Sequence, residues 1–208
     1  MKFALLFTLA LVVATPASFA DHHEGHGKAD AKDAKMDPKM AEKMKAWKEA
    51  SSVGAAHDVF KPMAGKWKYV SKFWQSPEAK PEESTGTSTL KLVLGGRFLM
   101  HETKGKAMGQ PFEGIGFTGY NNVSKVYETT WLDNMTTATM HGTGSFDAAS
   151  KTLTDTGEFA CPMRNNKVLK YRAEWKTIDA NNMSYSMYMP DESGKEFKSM
   201  EMLFKRAK

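Results

Sequence analysis

One cysteine, Cys161, stands in a chain of 208 residues, so no disulfide can form within it and the fold must be held by its core. Past residue 20 there is no apolar run long enough to cross a bilayer. Arginine-rich runs are also missing. The 29 lysines and arginines are scattered among 24 acidic residues, for a formal net charge of +5. That balance permits weak attraction to anionic surfaces but excludes the concentrated basic face of specific nucleic-acid binding. No Gly-x-Ser-x-Gly elbow offers a serine nucleophile. From Gly65 onward no segment keeps a helical spacing of apolar residues, which excludes a fold built on crossover helices.

What is present begins with an export signal over residues 1–20. Lys2 supplies the positive start, Phe3 through Val13 the short apolar run, and Ser18-Phe19-Ala20 the small residues that signal peptidase reads. Cleavage after Ala20 removes 20 of the 208 residues and leaves 188, enough for one well-filled domain and a tail. The expected location is periplasmic or secreted. Residues 21–36, rich in His, Asp, Lys, Ala and Gly, read as a disordered His-containing leader. Asp37-Pro38 then opens a helical N-terminal segment over residues 37–63. Met40, Met44 and Trp47 share a face of its first helix, and a second short helix from about Ala55 is expected to cover one end of a barrel.

Gly65-Lys66-Trp67 starts a different texture. Runs rich in Thr, Val, Tyr, Phe and Trp alternate with turn residues, predicting strands near 66–75, 85–94, 97–105, 110–120, 125–133, 136–146, 151–160, 168–178, 182–190 and 196–206. Gly95-Gly96, Asn121-Asn122, the 147–150 segment and the 191–194 segment supply the turns. The expected fold is mainly β: an antiparallel lipocalin-like (calycin) barrel of about 8–10 strands with short N-terminal helices, its domain spanning 64–208. Trp67 at the head of the first strand would plug one end, with Arg206 of the last strand lying across its ring.

Several stretches occur together in chain order: Gly95-Gly96-Arg97-Phe98, Pro111-Phe112-Glu113-Gly114, Gly119-Tyr120-Asn121, Trp131-Leu132-Asp133 and the closing Phe204-Lys205-Arg206. As a set, over about residues 54–206, they resemble the bacterial family catalogued as domain of unknown function 1579. The resemblance implies a calycin-like barrel and no assigned activity. Asn121 stands where that family more often has Asp.

Three features carry chemistry. Gly114-Ile115-Gly116-Phe117-Thr118-Gly119 satisfies a dinucleotide fingerprint in letters, but a turn and another strand follow where a helix is needed. The glycines instead allow a strand to bend or another group to approach its backbone. Next, polar residues alternate along neighbouring strands. If their faces point inward, Arg97, His101, Glu113, Tyr120, Trp131, Asp133 and His141 would wall a cavity; if outward, they are solvated surface. The alternation fixes a period and leaves its phase open. Last, cleavage after Ala20 would place Asp21-His22-His23 at a free N-terminus, a nitrogen donor set suited to Cu(II) or Ni(II).

Four functions follow from these readings. The first is a barrel that binds a small, mostly apolar molecule, favoured by the aromatic residues and the 15 methionines, whose mobile thioethers adapt to varied surfaces. The second is a small periplasmic enzyme pairing His101 or His141 with Asp133 or Glu113. The third is a copper or nickel accessory protein using the leader. The fourth is a barrel packed solid that acts through its surface.

Overall fold

The computed structural model describes residues 37–208, so the export signal, the leader and the Asp21-His22-His23 set lie outside the described residues. Ten strands follow two helices: α1 (Pro38–Ser51), α2 (Ala55–Asp58), β1 (Gly65–Phe73), β2 (Glu82–Val93), β3 (Phe98–Ala107), β4 (Gln110–Asn121), β5 (Val126–Asp133), β6 (Met140–Asp147), β7 (Thr152–Cys161), β8 (Lys167–Thr177), β9 (Asn182–Pro190) and β10 (Glu196–Arg206). Every strand pairs antiparallel with its neighbours in sequence, and β1 pairs with β10 to close the ring. The fold is the antiparallel barrel expected, with ten strands. Closure leaves no sheet edge open.

Alternation decides which side chains fill the interior. On β1, Trp67 and Tyr69 are buried while Lys66, Lys68 and Val70 between them are exposed. Tyr127, Leu153, Leu169, Tyr171, Met183 and Phe204 are buried on later strands. The residues after α2 form a floor at one end. Phe60 is fully buried and packs edge-on against Tyr127, whose hydroxyl donates to the Ala56 carbonyl at 2.8 Å. The Trp67 indole N–H donates to the Met63 carbonyl at 2.9 Å. The Arg206 guanidinium lies 4.1 Å over the Trp67 ring and donates to the carbonyls of Ala64, Pro62 and Ala180 at 2.7–2.8 Å. One planar fork thus ties the last strand to the floor segment and to the β8–β9 turn.

Some local expectations need correction. The strand expected at 136–146 begins only at Met140. Asp133 causes the delay: its Oδ1 accepts hydrogen bonds from the backbone N–H of Met135 and Thr136, which curls 134–139 into a loop. Thr137 and Thr139 therefore belong to no strand. At the β4–β5 turn, Asn121 does not take up a left-handed conformation. Its side chain accepts from the N–H groups of Val123 and Ser124, and Lys125 carries the positive φ of 59°. Cys161 ends β7 as a buried thiol.

The apolar stripe of α1 also behaves differently from expectation. Met40, Met44 and Trp47 are exposed, Trp47 by 71 %. Barrel side chains hold the helix at its C-terminal end. The Asn122 amide donates to the carbonyls of Glu49, Ala50 and Ser52, and Arg97 donates to that of Ser51 at 2.7 Å. These donors answer the free carbonyls and negative pole of a helix end.

Candidate functional site

A cavity of about 340 Å3 runs through the barrel, from Phe60 and Met63 at the floor to Glu82, Lys106 and Met108 at the opposite rim. The helical segment therefore closes the inner end, not the mouth. Inward positions of all ten strands supply the wall, and most of it is apolar: aromatic rings in the middle and Met135, Met140, Met187, Met200 and Met202 among the thioethers.

Trp131 owes its position to the glycines of β4. A Cβ on Gly114 would stand 2.2 Å from Trp131 Cζ2, and one on Gly116 would stand 2.8 Å from its Cε3. The letters of the dinucleotide fingerprint thus serve a packing purpose, letting an indole lie flat across bare backbone. Its N–H donates to Asp133 Oδ2 at 3.0 Å. Gly116→Ala should push the indole off its bed. Near-ultraviolet circular dichroism should change, and urea melts should show a loss of about 1–3 kcal/mol, the usual cost of overpacking. An unchanged spectrum and unchanged stability would contradict this account of the glycine.

His101 stands next to that indole. Its ring lies 5.4 Å from Trp131, 5.1 Å from Trp175 and 6.4 Å from Phe204. Nε2 is hydrogen-bonded to Thr103 Oγ1 at 2.7 Å, and that hydroxyl to Ser88 Oγ at 2.9 Å. Burial pushes the imidazole down to about 4, with no carboxylate holding a proton on it. It is therefore neutral at physiological pH. The surface that it retains is cavity wall, and Nδ1 has no hydrogen-bond partner among the described residues.

Across the interior lies a second polar centre. Asp155 is 4 % exposed, and its carboxylate accepts from Thr129 Oγ1 at 3.1 Å and from the Tyr171 hydroxyl. Room for this meeting comes from Gly142. A Cβ there would lie 2.6–2.7 Å from the Tyr171 hydroxyl, Asp155 Oδ2 and Thr129 Oγ1 alike. Burial raises the Asp155 carboxyl to about 6, against the pull of its two hydrogen bonds. Burial and the nearby Asp155 charge raise the Tyr171 phenol to about 12. Tyr185 packs on Trp175 at 4.8 Å, and burial raises its phenol strongly. Its hydroxyl has no hydrogen-bond partner among the described residues.

The residues expected from sequence divide by strand phase. His101, Trp131 and Asp133 line the cavity. Tyr120 points inward near the floor, against Tyr127 and His57, below the open space. Three others lie outside it. Arg97 holds the end of α1, and Glu113 pairs with Lys104 at 3.1 Å on the outer surface. His141 is exposed, with Nδ1 3.3 Å from Thr130 Oγ1. The reason is the register: Trp131 faces Met140 across the β5–β6 pair, so Met140 turns inward and His141 outward. No His–carboxylate pair forms among His101, His141, Asp133 and Glu113. Asp155, Tyr171, Tyr185 and Trp175 were not anticipated. Their signal was present in the alternation of Leu153, Asp155 and Gly157 and of Tyr171, Ala173 and Trp175, where a polar group interrupts an otherwise apolar or small inward face.

Fold and site together define a closed up-and-down barrel with a lined internal cavity. The chain belongs to the family described as "Protein of unknown function (DUF1579)", which it matches over residues 52–206. No curated protein matches it. Among solved structures it is similar to Rv2717c from M. tuberculosis, with a TM-score of 0.55 and 15 % identity over 76 % of this chain and all of that one. At that identity the likeness shows the fold alone. A redesigned β-barrel, b11L5F_LGL, aligns over 76 % of this chain and all of its own length, at 12 % identity and a TM-score of 0.36.

Proposed function

We propose that the barrel is a binding protein for one small, mostly apolar molecule that carries a hydrogen-bonding group. One observation carries the reading: a cavity of about 340 Å3 is faced by Nδ1 of His101 and the hydroxyl of Tyr185, two polar groups with no hydrogen-bond partner among the described residues. That volume falls within the range of small-ligand sites. Polar atoms set on a mostly apolar cavity wall fix the orientation of a ligand that can hydrogen-bond to them. The apolar wall supplies most of the binding energy, at about 25 cal/mol per Å2 removed from water. Export through the 1–20 segment belongs to this proposal, and it would place the protein where it could collect or carry such a molecule outside the cytoplasm.

Native mass spectrometry of protein isolated from its own cells tests both parts. A retained organic adduct is expected on a polypeptide lacking residues 1–20. The same preparation of Ala107→Trp, which narrows the rim, should lose the adduct while remaining folded. Bare protein in both preparations would count against binding, and an intact N-terminus would count against export.

A further inference from the structure

We infer that the cavity selects an organic cation: an apolar amine or quaternary ammonium whose head sits against Asp155 among the aromatic rings. The inference rests on the reading of the cavity as a ligand site and names the class of molecule it takes.

The cavity reverses the sign of the chain. The whole chain is basic, at +5, yet the charged side chains lining its cavity are Glu82, Asp133, Asp155 and Lys106, with His101 neutral among them. Three carboxylates thus face one ammonium, which sits at the rim. Lys and Arg, the groups that would receive a carboxylate or phosphate head, do not reach the middle of the barrel. The acids differ in how they are used. Asp133 is taken up by the Trp131 indole and two backbone N–H groups, and Glu82 lies at the exposed rim. Asp155 is enclosed, and among the described residues it has no cationic partner. Two hydroxyl donors orient it without neutralising it.

A carboxylate kept in such surroundings is half of an ion pair. The other requirement of ammonium recognition is a set of ring faces, whose negative potential attracts a desolvated cation. Trp131, Trp175, Tyr171 and Tyr185 all border the same space as Asp155, and Tyr185 lies close enough to feel its charge. His101 and the methionines then face the apolar remainder of the molecule.

Isothermal titration of the purified protein at pH 8 with three probes of equal chain length tests this: octyltrimethylammonium, octan-1-ol and octanoate. The expected order is ammonium at least tenfold tighter than the alcohol, with octanoate weakest. Asp155→Asn should bring the ammonium down to the level of the alcohol and leave the alcohol within threefold of wild type. A second measurement needs no variant. The quaternary probe cannot titrate, so its affinity should fall about tenfold per pH unit once Asp155 takes up a proton below about 6, while the affinity of octan-1-ol stays level. The groups facing Asp155 do not mimic this profile: Thr129 does not ionise, Tyr171 and Tyr185 are raised, and His101 titrates nearer 4. Octanoate binding as tightly as the ammonium, or a pH-independent ammonium affinity, would overturn the inference and leave the cavity reading standing. No binding by any probe would overturn both.

Discussion

Asp155→Asn is expected to make the unliganded protein more stable at pH 8, by about 3 kcal/mol, and to lose that advantage by pH 4. The sign follows from the carboxyl being raised in the fold. An ordinary aspartate titrates near 3.8 and this one near 6, a gap worth about 3 kcal/mol. Its contribution is fully present below 3.8, where both folded and unfolded chains hold the proton, and is lost as the pH rises through 6. Asparagine resembles the protonated acid and still accepts from Thr129 and Tyr171. His101 acts in the opposite sense. Burial lowers it from 6.5 to about 4, so its contribution is present above 6.5 and is lost as the pH falls through 4. Between pH 6 and 4 the two slopes oppose one another in the native chain. The variant should expose the histidine slope and weaken steeply on acidification, by about 3 kcal/mol. Urea melts at pH 8, 6 and 4 read all of this. A variant less stable than wild type at pH 8 would show that the ionised carboxylate supports the fold, and would remove the physical reason for regarding it as held for a ligand.

Trp67→Ala should produce the largest loss, about 3–5 kcal/mol, since it empties a site that is 1 % exposed and removes the hydrogen bond to the Met63 carbonyl. Arg206→Ala should cost about half as much. It abandons three carbonyls, but those of Pro62 and Ala180 lie at the surface, where water can replace the guanidinium. Because the two groups touch, their losses should not add. A double-mutant cycle should return about 1–2 kcal/mol of coupling, the share due to the stacked charge. Arg206→Lys should recover little, because an ammonium cannot reach three carbonyls in one plane and cover the ring as well. Additive losses would mean that plug and clasp act separately.

The barrel was legible in the sequence because a two-residue period repeated in ten runs needs no knowledge of neighbours. The cavity was legible only where one strand advertised its own phase. A large indole at Trp131 made β5 point its Asp133 side inward. β6 gave no such sign: its alternating polar residues could face either way, and His141 was the member that looked chemical. Yet Gly142 marks the inward face, where Tyr171, Thr129 and Asp155 need the space, and Gly144 lies against the β7 backbone. Bare positions on one strand were a message about bulky residues on the next two, and only the register connects them. Asp155 was passed over for a related reason. Flanked by Thr154 and Thr156, it reads locally as a polar residue beside a hairpin, and its burial depends on rings arriving from 16 and 30 positions further along the chain, Tyr171 and Tyr185.

The pairing of β1 with β10 carries a kinetic consequence. Nine of the ten ladders join strands adjacent in sequence and can zip as hairpins, each closing a short loop. The tenth brings together residues as distant as Trp67 and Arg206, 206 − 67 = 139 positions apart, and pays the greatest loop-closure entropy. Refolding should therefore pass through a hairpin-rich open ribbon, with the seam forming last. Linking the two seam strands covalently and reopening the chain within the 191–195 turn should transfer the late-forming seam to the β9–β10 pair while leaving the finished architecture unchanged.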